Sequence, residues 1–357
     1  MRVYVITLLL AGFFALVAQN NKIRLLNREC SSNSLFKFHF FVILTAIVLI
    51  FVAGFRYRVG ADYMNYALGY EQVKSTFWNS LKTLDEPGYK LLTIIGSWFY
   101  DDYASMFFIL ALFTIGKNIK TMSKYSDDFF WAIITYIFIG AWHGSFGAMR
   151  QYAASAILFA GHHYIYEKKF WHFLLTVMLA FFFHRTAIVF VVVYFIATDK
   201  ISVKSIFWMV IIAVVAALSL DKVFEVMSYF KGTDQTEFVY MTADVNPFRV
   251  MMAFLPLLLI FLVPKRDRKN PELAFYYNLL IINALFMLVT SSSTYLARIG
   301  IYTDIYATIA FPKLKRYMSE NNKKAFLFLM IILYGFFWIH EIQARDTLQN
   351  FQWIFYR

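Results

Sequence analysis

The sequence predicts an all-α, polytopic integral membrane protein of about twelve transmembrane helices plus one re-entrant or interfacial helix. Three observations predict it. Apolar residues fill 60% of the 357 positions and charged residues only 16%, whereas a soluble domain carries about 25% charged residues, so the bilayer must supply the burial. The 41 Phe, 24 Tyr and 8 Trp suit lipid-facing surfaces and interfacial belts better than a soluble core. Apolar runs also recur along the whole chain, with basic residues between them.

The runs lie at about 3–18, 39–54, 104–118, 129–142, 151–166, 170–183, 186–198, 205–220, 247–263, 272–290, 298–312 and 324–340. Several are shorter than the roughly 20 residues of a full crossing, so flanking Tyr, Trp and polar residues must extend them into the interface. With the amino terminus outside, every short inner loop is basic: Lys22, Arg24, Arg28 and Lys37; Lys117, Lys120 and Lys124; Lys168 and Lys169; Lys200 and Lys204; Lys265 to Lys269; Lys313 to Lys324. That is the positive-inside pattern. Counting TIIGSW, within 88–100, as a full span would put Lys117, Lys120 and Lys124 outside, so this piece reads as the re-entrant or interfacial helix. No linker or repeat divides the chain, and residues 1–357 read as one transmembrane domain. Its outer segments 55–100 and 221–246 are expected to form the substrate-binding face, with short amphipathic helices in 55–88 and 221–246.

The formal charge of +12 does not indicate nucleic acid, because the cations sit between apolar runs and not on one patch among soluble elements. Cys30 is the single cysteine, which excludes an intramolecular disulfide and a cysteine-based metal site. The first run reads as an uncleaved span: Arg2 is outnumbered by Lys22, Arg24 and Arg28, and no A-x-A site follows it.

The remaining arginines go against the rule. Arg56, Arg58, Arg150, Arg185, Arg249 and Arg298 all fall at outer ends of expected spans. Each alone can snorkel to headgroups or bond a loop carboxylate. Together they ask for an anionic partner, since an arginine deep in hydrocarbon costs about 2.5–3.5 kcal/mol. The guanidinium fork suits phosphate, and a lipid-borne diphosphate fits the location.

The outer segment reads GFRYRVGADYMNY over Gly54 to Tyr66, followed by EPGY over Glu86 to Tyr89. Within it Arg56, Gly60, Asp62 and Tyr66 form an R-x-x-x-G-x-D-x-x-x-Y pattern. Later come MRQYAASAI with Arg150, FFFHRTAIVF with His184, and YLARIGIY with Arg298 and Tyr302. In this order and spacing the chain resembles the EpsG-like and Wzy-type polysaccharide polymerases over nearly its full length. The resemblance implies a GT-C-like, all-helical glycosyltransferase of the bacterial cytoplasmic (inner) membrane, with an outward-facing active site. Such an enzyme joins undecaprenyl-diphosphate-linked glycans and releases undecaprenyl diphosphate; a chain-length regulator is a partner implied by the resemblance alone.

That chemistry sets two tasks: to stabilise the leaving diphosphate and to take a proton from the acceptor hydroxyl. Arg56, Arg58, Arg150 and Arg298 are the candidates for the first, with fixed cations in the place of a metal, so neither a metal nor another cofactor is expected. Asp62, Glu86 and His184 are the candidate catalytic bases. Asp62 and Glu86 have ion pairing with Arg56, Arg58 or Lys90 as the plainer alternative. His184 closes a Phe run at a span edge, where desolvation favours the neutral imidazole. Tyr66, His143, Arg249 and Tyr302 are candidate substrate contacts. Gly144 and Gly147 can admit a phosphate or only shape a turn; His162 and His163 fall near the inner end and take no role.

A flippase or other transporter of lipid-linked oligosaccharides would place charge along a path open to both sides and show paired halves, and neither is visible. An O-antigen ligase-type glycosyltransferase shares the outward arginines and differs only in the opening motif. A membrane O-acyltransferase would need a histidine nearer the midplane or inner side than His184.

Overall fold

The computed structural model describes residues 1–26, 32–201, 207–208, 210–211, 214–215, 245–294 and 296–357. Cys30, Tyr295, most of the run 205–220 and all but the last two residues of the expected outer segment 221–246 lie outside the described residues.

The described residues are mostly helical, and the strand pairing among them is one two-residue pair. Among the described residues, four helices are long and apolar enough to cross a membrane: Arg2–Arg24, Ser34–Gly54, Pro271–Val289 and Glu320–Gln343. At 1.5 Å per residue each spans about 30 Å or more, the thickness of the hydrocarbon core. A fifth candidate is a bent pair, Pro87–Phe99 and Tyr103–Tyr125, which meet at 120°. Such a bend is what the re-entrant reading of 88–100 requires, and Asp102 caps the second helix by accepting from the Ala104 amide at 2.8 Å.

The other apolar runs among the described residues form shorter pieces, so the expected twelve are not twelve long helices. Phe129–Phe138, Phe170–Phe181, Arg185–Ile196 and Pro247–Leu262 fall between 10 and 17 residues. The run 298–312 divides into two 3₁₀ turns, Leu296–Tyr302 and Asp304–Tyr306, before the helix Ala307–Tyr317. Several short pieces are interior. Along Met149–Gly161 nearly every side chain is buried, and Ala153, Ala154 and Ala156 let neighbouring backbones come close.

The charged side chains sort to two ends. At one end Lys22 donates to the Ser126 carbonyl at 2.8 Å, Lys315 pairs with Asp128 at 2.8 Å, and Lys313 pairs with Glu272 at 2.7 Å. At the other end the chain termini meet the loop after the second helix. Arg56–Tyr57 pairs antiparallel with Gln352–Trp353, in the register Arg56 to Trp353. Tyr4 donates its hydroxyl to the Leu348 carbonyl at 3.0 Å, and the Gly60 amide donates to Thr347 at 3.0 Å. The helix Arg2–Leu26 connects the two, with Tyr4 near one end and Lys22 near the other.

Candidate active site

The loop that carries the R-x-x-x-G-x-D-x-x-x-Y pattern is folded onto the turn before Arg150. Arg56 does the tying. Its Nε donates to the Val59 carbonyl and its Nη2 to the Phe146 carbonyl, both at 3.0 Å, while Nη1 donates to Ala53. The guanidinium also lies over the Phe107 and Phe146 rings at 4.8 and 4.9 Å. With 1% exposure, Arg56 is occupied by backbone oxygens, which corrects the expectation that it holds a diphosphate. Gly60 completes the docking: its φ is +112°, and a Cβ there would stand 2.3 Å from the Phe146 carbonyl oxygen.

The EPGY motif docks on the FFFHRTAIVF run. Glu86 takes a left-handed φ of 51° ahead of Pro87, which opens the helix Pro87–Phe99. The Gly88 amide donates to the Phe182 carbonyl at 2.8 Å, and a Cβ at Gly88 would lie 2.7 Å from the Phe183 ring. This contact sets Glu86 beside His184. A non-glycine residue held at positive φ costs on the order of 1–3 kcal/mol and is retained where the surroundings fix it.

Glu86 joins the parts. Its side chain is 7% exposed; one oxygen accepts from His184 Nδ1 at 2.6 Å and the other from Arg150 Nη1. The Arg150 guanidinium lies over the Tyr66 and Tyr89 rings at 5.6 and 5.7 Å, and those rings meet edge-on at 5.9 Å. Burial alone would raise the Glu86 carboxyl, but the His184 hydrogen bond and the Arg150 charge outweigh it and hold the group below its ordinary 4.5. An ionised carboxylate only accepts, so His184 carries a proton on Nδ1, and in the neutral imidazole Nε2 is then the lone-pair acceptor. Arg150 stays 41% exposed on its side chain despite the pair. Beside this group, Asp85 pairs with Lys90 at 3.0 Å and Arg185 at 3.2 Å.

The structure therefore brings Glu86, Arg150, His184 and Tyr66 together. Asp62 precedes the helix Tyr63–Leu68; it is partly exposed, and its carboxylate forms no ion pair or hydrogen bond among the described residues. Arg58 is exposed at φ 54°, over the Tyr57 ring. Tyr302 is buried behind the site, its hydroxyl bonded to Thr186 at 2.8 Å, two residues from His184. Arg298 is partly exposed, and its carbonyl accepts from the Gln151 amide at 2.8 Å.

Two expected substrate contacts are placed elsewhere. Arg249 is engaged by Glu341 through both carboxylate oxygens, with Arg345 on the same carboxylate at 2.8 Å. His143 is 2% exposed inside the bundle, and so is closed to a sugar in this arrangement. Sequence reasoning missed Glu341, although a lone acid at the end of an apolar run is a signal for a basic partner. It also gave no part to Asp85 or to residues 345–357, which bear no motif.

A bundle of membrane-length helices with an arginine, a carboxylate and a histidine gathered at one end defines the class: a helical membrane protein with a polar site at the bundle end. The chain matches the EpsG family over residues 39–357, and it belongs to that family. Membership points to a polysaccharide-polymerase-type membrane protein of the glycosyltransferase kind. Comparison with curated proteins and with solved structures finds no match.

Proposed function

We propose that this protein is a polysaccharide polymerase that joins undecaprenyl-diphosphate-linked repeat units on the outer side of the bacterial cytoplasmic membrane. The observation that carries the reading is the single carboxylate of Glu86 shared by Arg150 and His184. In the reaction, the acceptor hydroxyl oxygen attacks the anomeric carbon of the growing glycan. The bond from that carbon to the diphosphate oxygen breaks, and the electron pair leaves with undecaprenyl diphosphate. The hydroxyl proton passes to His184 Nε2. Arg150 faces the negative charge that develops on the leaving group, with Arg58 and Arg298 as further cations for it. Glu86 is the positioning residue, fixing the His184 tautomer and the Arg150 fork.

The orientation is supported by charge. The end opposite the site carries Lys22, Lys313 and Lys315, which under the positive-inside rule faces the cytoplasm. In this reading the shorter apolar helices complete the membrane section toward about twelve crossings in a GT-C-like arrangement, and a chain-length regulator docks from outside.

Purified full-length protein in nanodiscs, given an undecaprenyl-diphosphate repeat unit, should form a polymer ladder. His184→Gln and Arg150→Ala should lose it, and Asp62→Asn should stay within about tenfold of wild type, short of the 10²–10⁴ that removing a general base costs. Loss in Asp62→Asn with activity kept in His184→Gln would move the base to Asp62. Absence of a ladder, with lipid-linked glycan crossing the bilayer of the same vesicles, would replace the polymerase with a transporter.

A further inference from the structure

At the end of the bundle opposite the site lies a cavity of about 610 Å³ that the polymerase chemistry does not use. Three cations border it, Lys200, Arg268 and Lys269, together with the apolar side chains Ile201, Ile260 and Phe261. None of the described residues on its lining is acidic. Its size falls within the roughly 300–1,000 Å³ of small-molecule sites.

The walls are held in place. Arg268 Nε donates to the Val263 carbonyl at 2.9 Å, which turns its guanidinium along the Phe261 ring at 5.7 Å. Tyr277, also on the lining, donates its hydroxyl to the Leu257 carbonyl at 2.9 Å. The Lys200 carbonyl accepts from Asn278 Nδ2 at 3.0 Å, which fixes the backbone beneath that lysine. The side chains of Lys200 and Lys269 form no ion pair among the described residues and are exposed. Phe261 is 68% exposed beside them. Exposed cations next to apolar side chains match a molecule with an anionic head and a hydrocarbon chain, and basic pockets between membrane helices bind lipid headgroups in this way.

We infer that this cavity is a binding site for one anionic glycerophospholipid of the leaflet at that end, its phosphodiester against Lys200, Arg268 and Lys269 and an acyl chain along Ile201, Ile260 and Phe261. The inference rests on the membrane reading of the chain and is independent of the polymerase reaction.

The test is lipid titration of the purified full chain in neutral detergent, read by native mass spectrometry, with dioleoylphosphatidylglycerol, dioleoylphosphatidylcholine and inorganic phosphate as probes. Phosphatidylglycerol should bind saturably and at least about tenfold more tightly than phosphatidylcholine of the same chains, with inorganic phosphate weaker still. Each cation near a lipid headgroup is worth roughly fivefold in affinity, so the double variant Lys200→Gln, Lys269→Gln should weaken phosphatidylglycerol binding roughly 25-fold. Neither side chain holds the fold, so the variant should unfold at the same temperature as wild type in phosphatidylcholine. Equal binding of the two lipids, no effect of the double variant, or no saturable lipid binding would each overturn the inference. Inorganic phosphate binding as tightly as phosphatidylglycerol would also overturn it, in favour of a soluble anion. Since no glycan substrate is present, failure of polymer synthesis leaves this result untouched.

Discussion

Replacing Glu86 with Gln keeps the volume and removes the charge that holds two donors, Arg150 and His184. Glutamine offers one acceptor oxygen and one NH₂ group. If the oxygen stays on Arg150, the NH₂ faces His184 Nδ1, which accepts only when the imidazole proton has moved to Nε2. The nitrogen proposed as base is then blocked. Loss of general-base action costs about 10²–10⁴ in rate, and kcat should fall by that range while KM for the acceptor changes little. Breaking a buried pair costs about 3–5 kcal/mol. Arg150 and His184 are 41% and 23% exposed on their side chains and regain water, so a stability loss of about 2 kcal/mol is expected.

The acid limb gives a second readout. The Glu86 carboxyl is held below its ordinary 4.5 in the folded protein. Its contribution is therefore fully present above about pH 4.5 and is lost as pH falls through the depressed value. Thermal unfolding of wild type from pH 6 to pH 3 should show this loss, and Glu86→Gln should lack that component. The assay is polymer formation under single-turnover conditions, with unfolding followed in the same detergent. A folded Glu86→Gln protein with wild-type kcat would refute the positioning argument. So would a Glu86→Gln loss that appears only in KM.

Arg150→Lys keeps a cation but not the fork that meets Glu86 while lying across Tyr66 and Tyr89; it should retain more activity than Arg150→Ala, which should fall about 10²–10³-fold in kcat in the ladder assay. Gly60→Ala places a Cβ against the Phe146 carbonyl at a φ that L residues avoid, so its unfolding temperature should drop by the equivalent of about 3 kcal/mol or more. Deleting residues 346–357 removes the strand partner of Arg56–Tyr57 and the ion pair of Arg357 with Asp102 at 2.7 Å. The deleted protein should insert in the membrane, lose polymer formation, and show faster proteolysis in the loop 55–66.

Much of the site was legible because its residue types go against their surroundings. An arginine at the outer end of an apolar run is costly enough to be conspicuous, and Arg150, Glu86 and His184 each stood out for that reason. Which arginine is tied to backbone oxygens was not legible. Arg56 and Arg150 look alike in sequence, and only the carbonyls of Ala53, Val59 and Phe146 around the first distinguish them. The long helices were readable from continuous apolar runs. The division of 298–312 into 3₁₀ turns was not, because hydropathy averages over backbone geometry. Nor was the bracing by residues 346–357, since a two-residue strand pairs through backbone groups that every sequence has.

That pairing joins positions almost three hundred residues apart. During synthesis the loop of Arg56 leaves the ribosome early and can pair only after Gln352 and Trp353 have been made. That loop therefore takes its paired shape only after the helices between the two strands have been synthesised, whatever the order in which they insert. A chain interrupted before Gln352 would have those helices made and the loop of Arg56 unbraced, so the pairing ties the shape of that loop to synthesis of the distant strand.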